Sequence, residues 1–183
     1  MPDRMSGAED LLARARGGDA AAFERLVLIH EKMVARTAYR IMNDSEAARD
    51  IAQETFLRLY RNLKRLDIEP ALAAWLYRVT VNLCRDALRA RREWRELDDR
   101  QTSSDPSPET LTRLGQRRDM LESALAELPA RERMVVVLRE IEGLSATEVA
   151  AIMGTTEGTV RSQAFSARAK LKRLLSKWMG RDS

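Results

Sequence analysis

The stretch of this chain that most constrains its fold is residues 128–175, which predicts three helices ending in a helix-turn-helix. Ser145 and Glu148 have the spacing of a capping box, in which each side chain satisfies a backbone N–H at a helix start. Gly154 follows an apolar run and predicts the end of that helix, because glycine readily adopts the left-handed conformation. Beyond the turn, apolar residues recur at helical spacing from Val160 to Leu175 and predict the second helix of the unit.

That second helix carries a polar and basic outer face. The residues left outside its apolar stripe are Thr159, Ser162, Gln163 and Ser166, with Arg161 and Phe165 at the margins. Between residues 159 and 178 there are six Lys or Arg and no Asp or Glu. A short basic face on this helix is what reading of the DNA major groove requires. The alternative is an ordinary surface helix of a helical bundle.

Composition favours helices and excludes several classes of site. Among 183 residues only 5% are aromatic, with eight Gly and five Pro, which fits an all-helical chain better than a β protein. One cysteine, Cys84, cannot form an intrachain disulfide, and one histidine, His30, leaves no zinc cluster and no Ser-His-Asp set. We therefore expect no enzyme, metal, cofactor or small-molecule substrate. Without a signal peptide or a long apolar run, we expect a soluble cytoplasmic protein with no membrane insertion.

Residues 1–94 predict a first helical domain. A long helix begins after the N-cap Asp19, a third helix runs from about Glu46 to Leu66, and a fourth from about Ala71 to Trp94. The third helix has an apolar stripe on one side and a polar face on the other, formed by Asp50, Gln53, Glu54 and Arg61. Leu57 also lies on this polar face, which is unusual for an apolar residue.

The fourth helix is a second basic element, well separated from the first. Up to residue 92 it holds one acidic residue, Asp86, against Arg78, Arg85, Arg89, Arg91 and Arg92. Residues 95–108 are acidic, polar and proline-punctuated, and such a composition predicts a flexible linker. A helix with Ser107 as N-cap and Pro108 in its first turn then opens a second domain at residues 109–183. The predicted fold is all-α: two small helical domains joined by a flexible acidic linker.

Three motifs lie in order along nearly the whole chain. They are DIAQETF at residues 50–56, WLYRVTVN at residues 75–82, and GTVRS at residues 158–162 with Ala167-Arg168 beyond it. Together they strongly resemble the extracytoplasmic-function (ECF) sigma factors of bacterial RNA polymerase, in the sigma-70 family. The resemblance implies a promoter-melting domain, a linker and a domain that reads the upstream element.

The resemblance also implies partners and site residues. Core polymerase would be bound by Asp50, Gln53, Glu54 and Leu57. The minus-ten element would meet the loop at residues 67–70 and Trp75, Arg78, Asn82, Arg85, Arg89, Arg91 and Arg92. The minus-thirty-five element would be read by Thr159, Arg161, Ser162, Gln163, Phe165, Ser166 and Arg168. Trp75 fits a core anchor and a base-stacking residue equally well. An anti-sigma factor is a further implied partner, and stress or envelope-response genes are the implied targets.

Two positions depart from the family pattern. Many members have arginine where this chain has Gln163 and Ser166. Gln pairs naturally with adenine, and Phe165 could cover a thymine methyl group. We therefore expect a promoter motif that depends less on guanine at those steps; selection of bound promoters from a random library would test this.

Two other classes of function compete with a sigma factor. A conventional helix-turn-helix regulator with an N-terminal ligand or partner domain explains the C-terminus but not the second basic helix at residues 78–92. A helical adaptor whose basic faces bind acidic proteins predicts weak DNA affinity even at low salt.

Overall fold

A computed structural model of the protein describes residues 3–65, 72–97 and 113–179, and these residues contain no strand. The N-terminal domain holds α1 (Asp3–Arg16), α2 (Ala20–Met42), α3 (Ser45–Asn62) and α4 (Leu72–Leu97). The C-terminal domain holds α5 (Arg113–Ala126), α6 (Ala130–Val136), a π-helical segment (Val137–Ile141), α7 (Ala146–Met153) and α8 (Glu157–Met179). The all-α, two-domain prediction is confirmed.

Acidic N-caps fix the starts of α2 and α3. Asp19 Oδ1 accepts the backbone N–H of Ala22 at 3.0 Å, as predicted for this cap. Asp44 Oδ1 accepts the N–H groups of Glu46 and Ala47, both at 3.0 Å. These backbone hydrogen bonds favour the ionised carboxylates and lower the pKa of both Asp residues. The Asp44 cap places the start of the third helix at Ser45, one residue before the predicted start, and the helix is shorter than predicted because it ends at Asn62 rather than near Leu66.

The helix-turn-helix forms as the sequence predicts. Ser145 Oγ accepts the N–H of Glu148 at 3.2 Å, and a Glu148 carboxylate oxygen accepts the N–H of Ser145 at 2.7 Å. Gly154 ends α7 with φ 63°, in the left-handed region. On α8, Val160, Ala164 and Ala167 are buried, which confirms the inward stripe.

The two domains are packed against each other. One buried cluster joins Ile41 and Met42 of α2 and Tyr77, Val81 and Cys84 of α4 to apolar residues of the C-terminal domain; those residues are Met134, Val135, Val137, Leu138, Val149, Ile152, Val160 and Ala164. Helix α4 therefore has two buried faces. Leu72 and Leu76 pack into the N-terminal core, whereas Tyr77, Val81 and Cys84 face the other domain.

Three sequence predictions fall outside the described residues. They are the loop at residues 67–70, most of the linker at residues 98–108, and the helix start at Ser107 and Pro108. Residues 95–97, assigned to the linker from sequence, belong to the end of α4.

Candidate polymerase and promoter interfaces

The outer side of α3 presents a mixed polar and apolar face. Asp50, Gln53, Glu54 and Leu57 lie at positions i, i+3, i+4 and i+7, so they share one side of the helix. Asp50 and Gln53 are exposed, and Leu57 is 40% exposed. Glu54 is half-buried and accepts a hydrogen bond from Arg58 Nε at 2.8 Å. We call these four residues the docking face; a helix row of this spacing is how one helix engages another.

An apolar groove that the sequence did not indicate lies beside the docking face. It runs between α2 and α3, has a volume of about 450 Å³, and includes Val27, Ala35, Ala52 and Phe56 in its lining. Gln53 belongs to both the groove and the docking face. Small residues at Ala35 and Ala52 create this space, which periodicity within one helix cannot reveal because the groove needs two helices.

A row of polar residues follows α4. Arg78, Asn82, Arg85 and Arg89 are spaced by three or four residues and lie on one side; we call them the α4 row. The three arginines are exposed and Asn82 is half-buried. Arg85 Nη2 donates to Asn82 Oδ1 at 2.8 Å, which orients the amide. Arg92, also exposed, lies one turn beyond Arg89. Such a row can follow a phosphate backbone.

Two predicted contacts to the minus-ten element lie away from the α4 row. Arg91 turns to the α2–α3 junction and pairs with Asp44 at 2.6 Å, where it supports the N-cap of α3. Trp75 is half-buried and packs against the N-terminal core cluster. Its ring therefore serves as a core anchor while part of its surface remains accessible.

The exposed face of α8 differs from the predicted one. Arg161, Ser162, Phe165 and Arg168 are exposed, and Phe165 reaches 76% exposure. Arg161 pairs with Glu157 at 2.7 Å and Arg168 with Glu140 at 2.6 Å. Exposed ion pairs of this kind contribute little, about 0–1 kcal/mol, so phosphate groups can replace the carboxylates. Phe165, placed at the margin from sequence, lies in the middle of this face.

The other three predicted reading residues of α8 are partly buried. Thr159 Oγ1 lies 2.9 Å from Thr156 Oγ1 at the start of the helix. Ser166 donates its hydroxyl to Glu132 of α6 at 3.1 Å. Gln163 lines a cleft of about 110 Å³ between the domains, with Val81 and Arg85 of α4 opposite. Gln163 and Ser166 are therefore half-buried at the edges of the exposed face, and their role in reading DNA stays a prediction.

No His, Cys, Asp and Glu side chains in the described part of the chain cluster in a way that could hold a metal ion. None of the described helices is long and apolar enough to cross a membrane. Cys84 is fully buried, and burial raises the pKa of its thiol to about 12, so the thiolate is scarce at neutral pH. His30 is half-buried, and desolvation lowers its pKa.

Each of the two domains matches a known protein family. Residues 26–94 match the family described as Sigma-70 region 2, and residues 118–171 match Sigma-70, region 4. The chain is 39% identical over 172 residues to the ECF RNA polymerase sigma factor SigE of Mycolicibacterium smegmatis, covering 87% of this chain and 65% of that relative's length. It is 32% identical over 180 residues to the RNA polymerase sigma-H factor of Pseudomonas aeruginosa, covering 91% of this chain and 93% of that protein.

Comparison with solved structures agrees with the sequence matches. CnrH, solved in complex with the cytosolic domain of CnrY, superposes with a TM-score of 0.70 at 30% identity, covering 93% of this chain and 98% of CnrH. Three findings agree on the family of this chain. Both sigma regions match, the helices follow the same order, and one relative is matched over nearly its full length. The chain belongs to the ECF group of the sigma-70 family of RNA polymerase sigma factors.

Proposed function

We propose that this protein initiates transcription by binding core RNA polymerase through the docking face on α3 and promoter DNA through α4 and α8. The observation that carries the proposal is the set of three separate surfaces: one exposed mixed face and two basic helices, within a sigma-factor fold. A conventional regulator would need only the helix-turn-helix. The chain performs no covalent chemistry in this role, and its place of action is the cytoplasm, with core polymerase.

In the contact with core polymerase, Leu57 forms an apolar centre flanked by the carboxylates of Asp50 and Glu54 and the amide of Gln53. Burying a side chain of this type stabilises a contact by about 1.5–3 kcal/mol when it is fully covered. Asp50 and Glu54 add charge, which selects a basic partner surface and accelerates encounter. A helix of core polymerase that carries basic residues around an apolar seam would fit this face.

Promoter contacts divide between affinity and sequence reading. Arg78, Arg85, Arg89 and Arg92 on α4, and Arg161 and Arg168 on α8, supply phosphate contacts, which carry affinity but no sequence information. Asn82 can bond an exposed base edge of the melted minus-ten element, and Trp75 offers a partly accessible ring. In the minus-thirty-five element, Ser162 and Phe165 point outward and can meet base edges directly.

Melting is coupled to binding in this proposal. Unpaired bases trapped beside α4 offset the stacking free energy that the duplex loses, so no fuel molecule is required. An anti-sigma factor is the expected inhibitor because the chain is a sigma factor of the ECF group, and the structurally similar CnrH was solved bound to another protein, the cytosolic domain of CnrY.

Transcription in vitro with purified core polymerase tests the proposal. Run-off products from a library of native promoters should appear only when core and this protein are both present. A helix-turn-helix regulator would require a second sigma factor, and an adaptor would give no product. Failure to start on any native promoter, with a known sigma factor active in the same core preparation, would contradict the proposal.

A further inference from the structure

Glu132 of α6 holds two side chains of α8, the second helix of the helix-turn-helix. Its Oε1 accepts the Ser166 hydroxyl at 3.1 Å and a hydrogen bond from Lys170 Nζ at 2.7 Å. Ser166 and Lys170 are four residues apart, so they lie one above the other on the same flank of α8. We call these three residues the α6–α8 clasp. The clasp ties α8 to the helix that precedes the helix-turn-helix.

The clasp is partly shielded from water. The Glu132 side chain is 15% exposed and the Lys170 side chain is 37% exposed. On the other flank of α8, the Glu140 and Arg168 side chains are 38% and 57% exposed. A charged pair is screened less, and its hydrogen bonds are stronger, where water is partly excluded. Phosphate can therefore replace Glu140 at Arg168 more easily than it can replace Glu132 at Lys170.

The second oxygen of Glu132 indicates that packing alone does not explain this residue. Oε2 is buried and makes no hydrogen bond to any described residue. A buried carboxylate oxygen without a partner destabilises the fold, whereas an apolar side chain of similar size would pack α6 against α8 without an unpaired polar atom. A carboxylate at this position is therefore better explained by its effect on Ser166 and Lys170 than by stability.

Position 166 lies at the edge of the surface that would face DNA. Ser166 follows the exposed Ser162 by four residues, so a longer side chain at position 166 could reach the base pairs that Ser162 meets. The Ser166 hydroxyl, however, is turned toward α6 and donates to Glu132. A hydroxyl has one proton, so it cannot donate to a carboxylate and to a base edge at the same time. Ser166 therefore lies beside the reading surface without donating to it.

Charge balance leads to the same conclusion for Lys170. Its ammonium and the Glu132 carboxylate form a close pair of opposite charges, so their fields largely cancel at the distance of a phosphate group. Arg161 and Arg168 have weaker, more exposed carboxylate partners. Phosphate contact is therefore expected from these arginines and not from Lys170.

We propose that Glu132 is a positioning residue that limits which part of α8 reads the upstream element: by holding Ser166 and Lys170 against α6, it excludes positions 166 and 170 from contact with DNA. The clasp follows from the contacts of the chain itself, whereas its effect on promoter choice rests on the proposed function. A cation introduced at position 166 would also be captured by Glu132, since a carboxylate binds a guanidinium through both oxygens. Two measurements test the clasp and its effect separately.

The first measurement is a double-mutant cycle for unfolding in urea, which needs neither polymerase nor DNA. Glu132→Gln removes the charge and keeps an acceptor oxygen, and Lys170→Met removes the ammonium and keeps the length of the side chain. Lys170→Met should lower the urea midpoint by about 0.3 M in the wild-type protein, because it leaves Glu132 without its cation. In the Glu132→Gln protein the same change should have much less effect.

Glu140→Gln with Arg168→Met is the matched control cycle, because it removes the exposed pair on the other flank of α8. Its two changes should be nearly additive, since exposed pairs couple weakly. Circular dichroism confirms that each variant keeps its helices. Additive effects in the Glu132 cycle as well would overturn the clasp.

The second measurement is selection by holoenzyme of bound promoters from a library with a randomised upstream element. An arginine that is free to reach guanine reads it through two hydrogen bonds. Ser166→Arg alone should leave base preference unchanged within about twofold, because Glu132 captures the guanidinium. Ser166→Arg combined with Glu132→Gln should gain a preference for guanine of about tenfold at one position.

Ser166→Arg combined with Glu140→Gln is the control for selection, because it makes the same total charge change and leaves Glu132 in place. It should show no new preference for guanine. A guanine preference in Ser166→Arg alone, or none in its combination with Glu132→Gln, would overturn the exclusion of position 166. If the wild-type holoenzyme selects no promoter sequence, the proposed function fails, and the unfolding cycle still decides whether the clasp exists.

Discussion

The docking face is mostly open to solvent, whereas one predicted base-reading residue of α8, Gln163, is half-buried between the domains. Asp50, Gln53 and Leu57 on α3 lie open to solvent. By contrast, Gln163 lines the interdomain cleft, although Arg78 and Phe165 on the two basic helices are exposed. In the proposed function, core polymerase can therefore dock while the two domains are packed together, and Gln163 can meet a base only after they separate. A partner opens a protein only if it binds the open form better, so core must contact more than α3.

The largest expected effect concerns core binding by the docking face on α3. Asp50→Lys combined with Glu54→Lys reverses the charge of the docking face and should weaken core binding by at least 100-fold, because like charges then meet at the interface. Pull-down of core polymerase with tagged protein measures this. Glu24→Lys with Glu127→Lys makes the same total charge change at two other exposed sites and serves as the control. Unchanged recovery of core by the α3 variant would refute the docking role.

The next largest effect concerns base preference and compares two half-buried residues of α8. One is covered by the N-terminal domain and the other by its own domain. Gln163 is released when the domains part, whereas Ser166 stays bonded to Glu132 of its own domain. Gln163→Ala should therefore change base preference at one position of the upstream element, by about 1–3 kcal/mol of discrimination. Ser166→Ala should leave preference unchanged. Promoter selection from a randomised library by holoenzyme compares the two, and an altered preference for Ser166→Ala alone would reverse this assignment.

A smaller effect distinguishes two arginines of α4 that the sequence treats alike. Arg89 belongs to the α4 row, whereas Arg91 pairs with Asp44. Arg89→Ala should lower the slope of log affinity against log salt by about 0.9, the value for one lost phosphate contact. Arg91→Ala should leave that slope unchanged and reduce thermal stability slightly. Holoenzyme binding to promoter DNA at several salt concentrations measures both, and equal slopes for the two variants would contradict the distinction.

The smallest effect tests the helix-turn-helix turn. Gly154 has φ 63°, so Gly154→Ala should destabilise the protein by about 1–2 kcal/mol. Gly158 lies in the first turn of α8, and a Cβ there would meet its nearest atom at 3.9 Å. Gly158→Ala should be neutral or stabilise by up to about 1 kcal/mol. Urea unfolding compares the pair; equal stability of the two variants would show that the turn tolerates a side chain.

Local features of the fold were predictable because they depend on neighbours in sequence. The Asp19 cap, the Ser145–Glu148 capping box and the Gly154 turn each involve groups within four residues, and all three formed as predicted. The inward stripe of α8 was also correct at Val160, Ala164 and Ala167, since apolar periodicity reports the direction of the core.

Packing between distant helices was not predictable from the same patterns. Periodicity gives the core side of α8 but not which flank a neighbour covers. Ser166 is covered by α6, and Gln163 lies toward α4, while Phe165 on the other flank is open. Likewise, Tyr77 meets Glu142 across 65 residues of chain, and no local spacing encodes that contact.

One measurement tests the central claim of the proposed function, that core polymerase docks on the protein while its two domains are packed together and then separates them. Fluorescent dyes on cysteines replacing Arg25 of α2 and Glu127, at the end of α5, report the separation of the domains by energy transfer. Cys84 is buried with a thiol pKa of about 12, so it escapes labelling. Transfer should fall when core polymerase is added without DNA, and should stay high for Asp50→Lys with Glu54→Lys. The account would be contradicted if the efficiency of energy transfer did not change when core polymerase is added and fell only when promoter DNA is added.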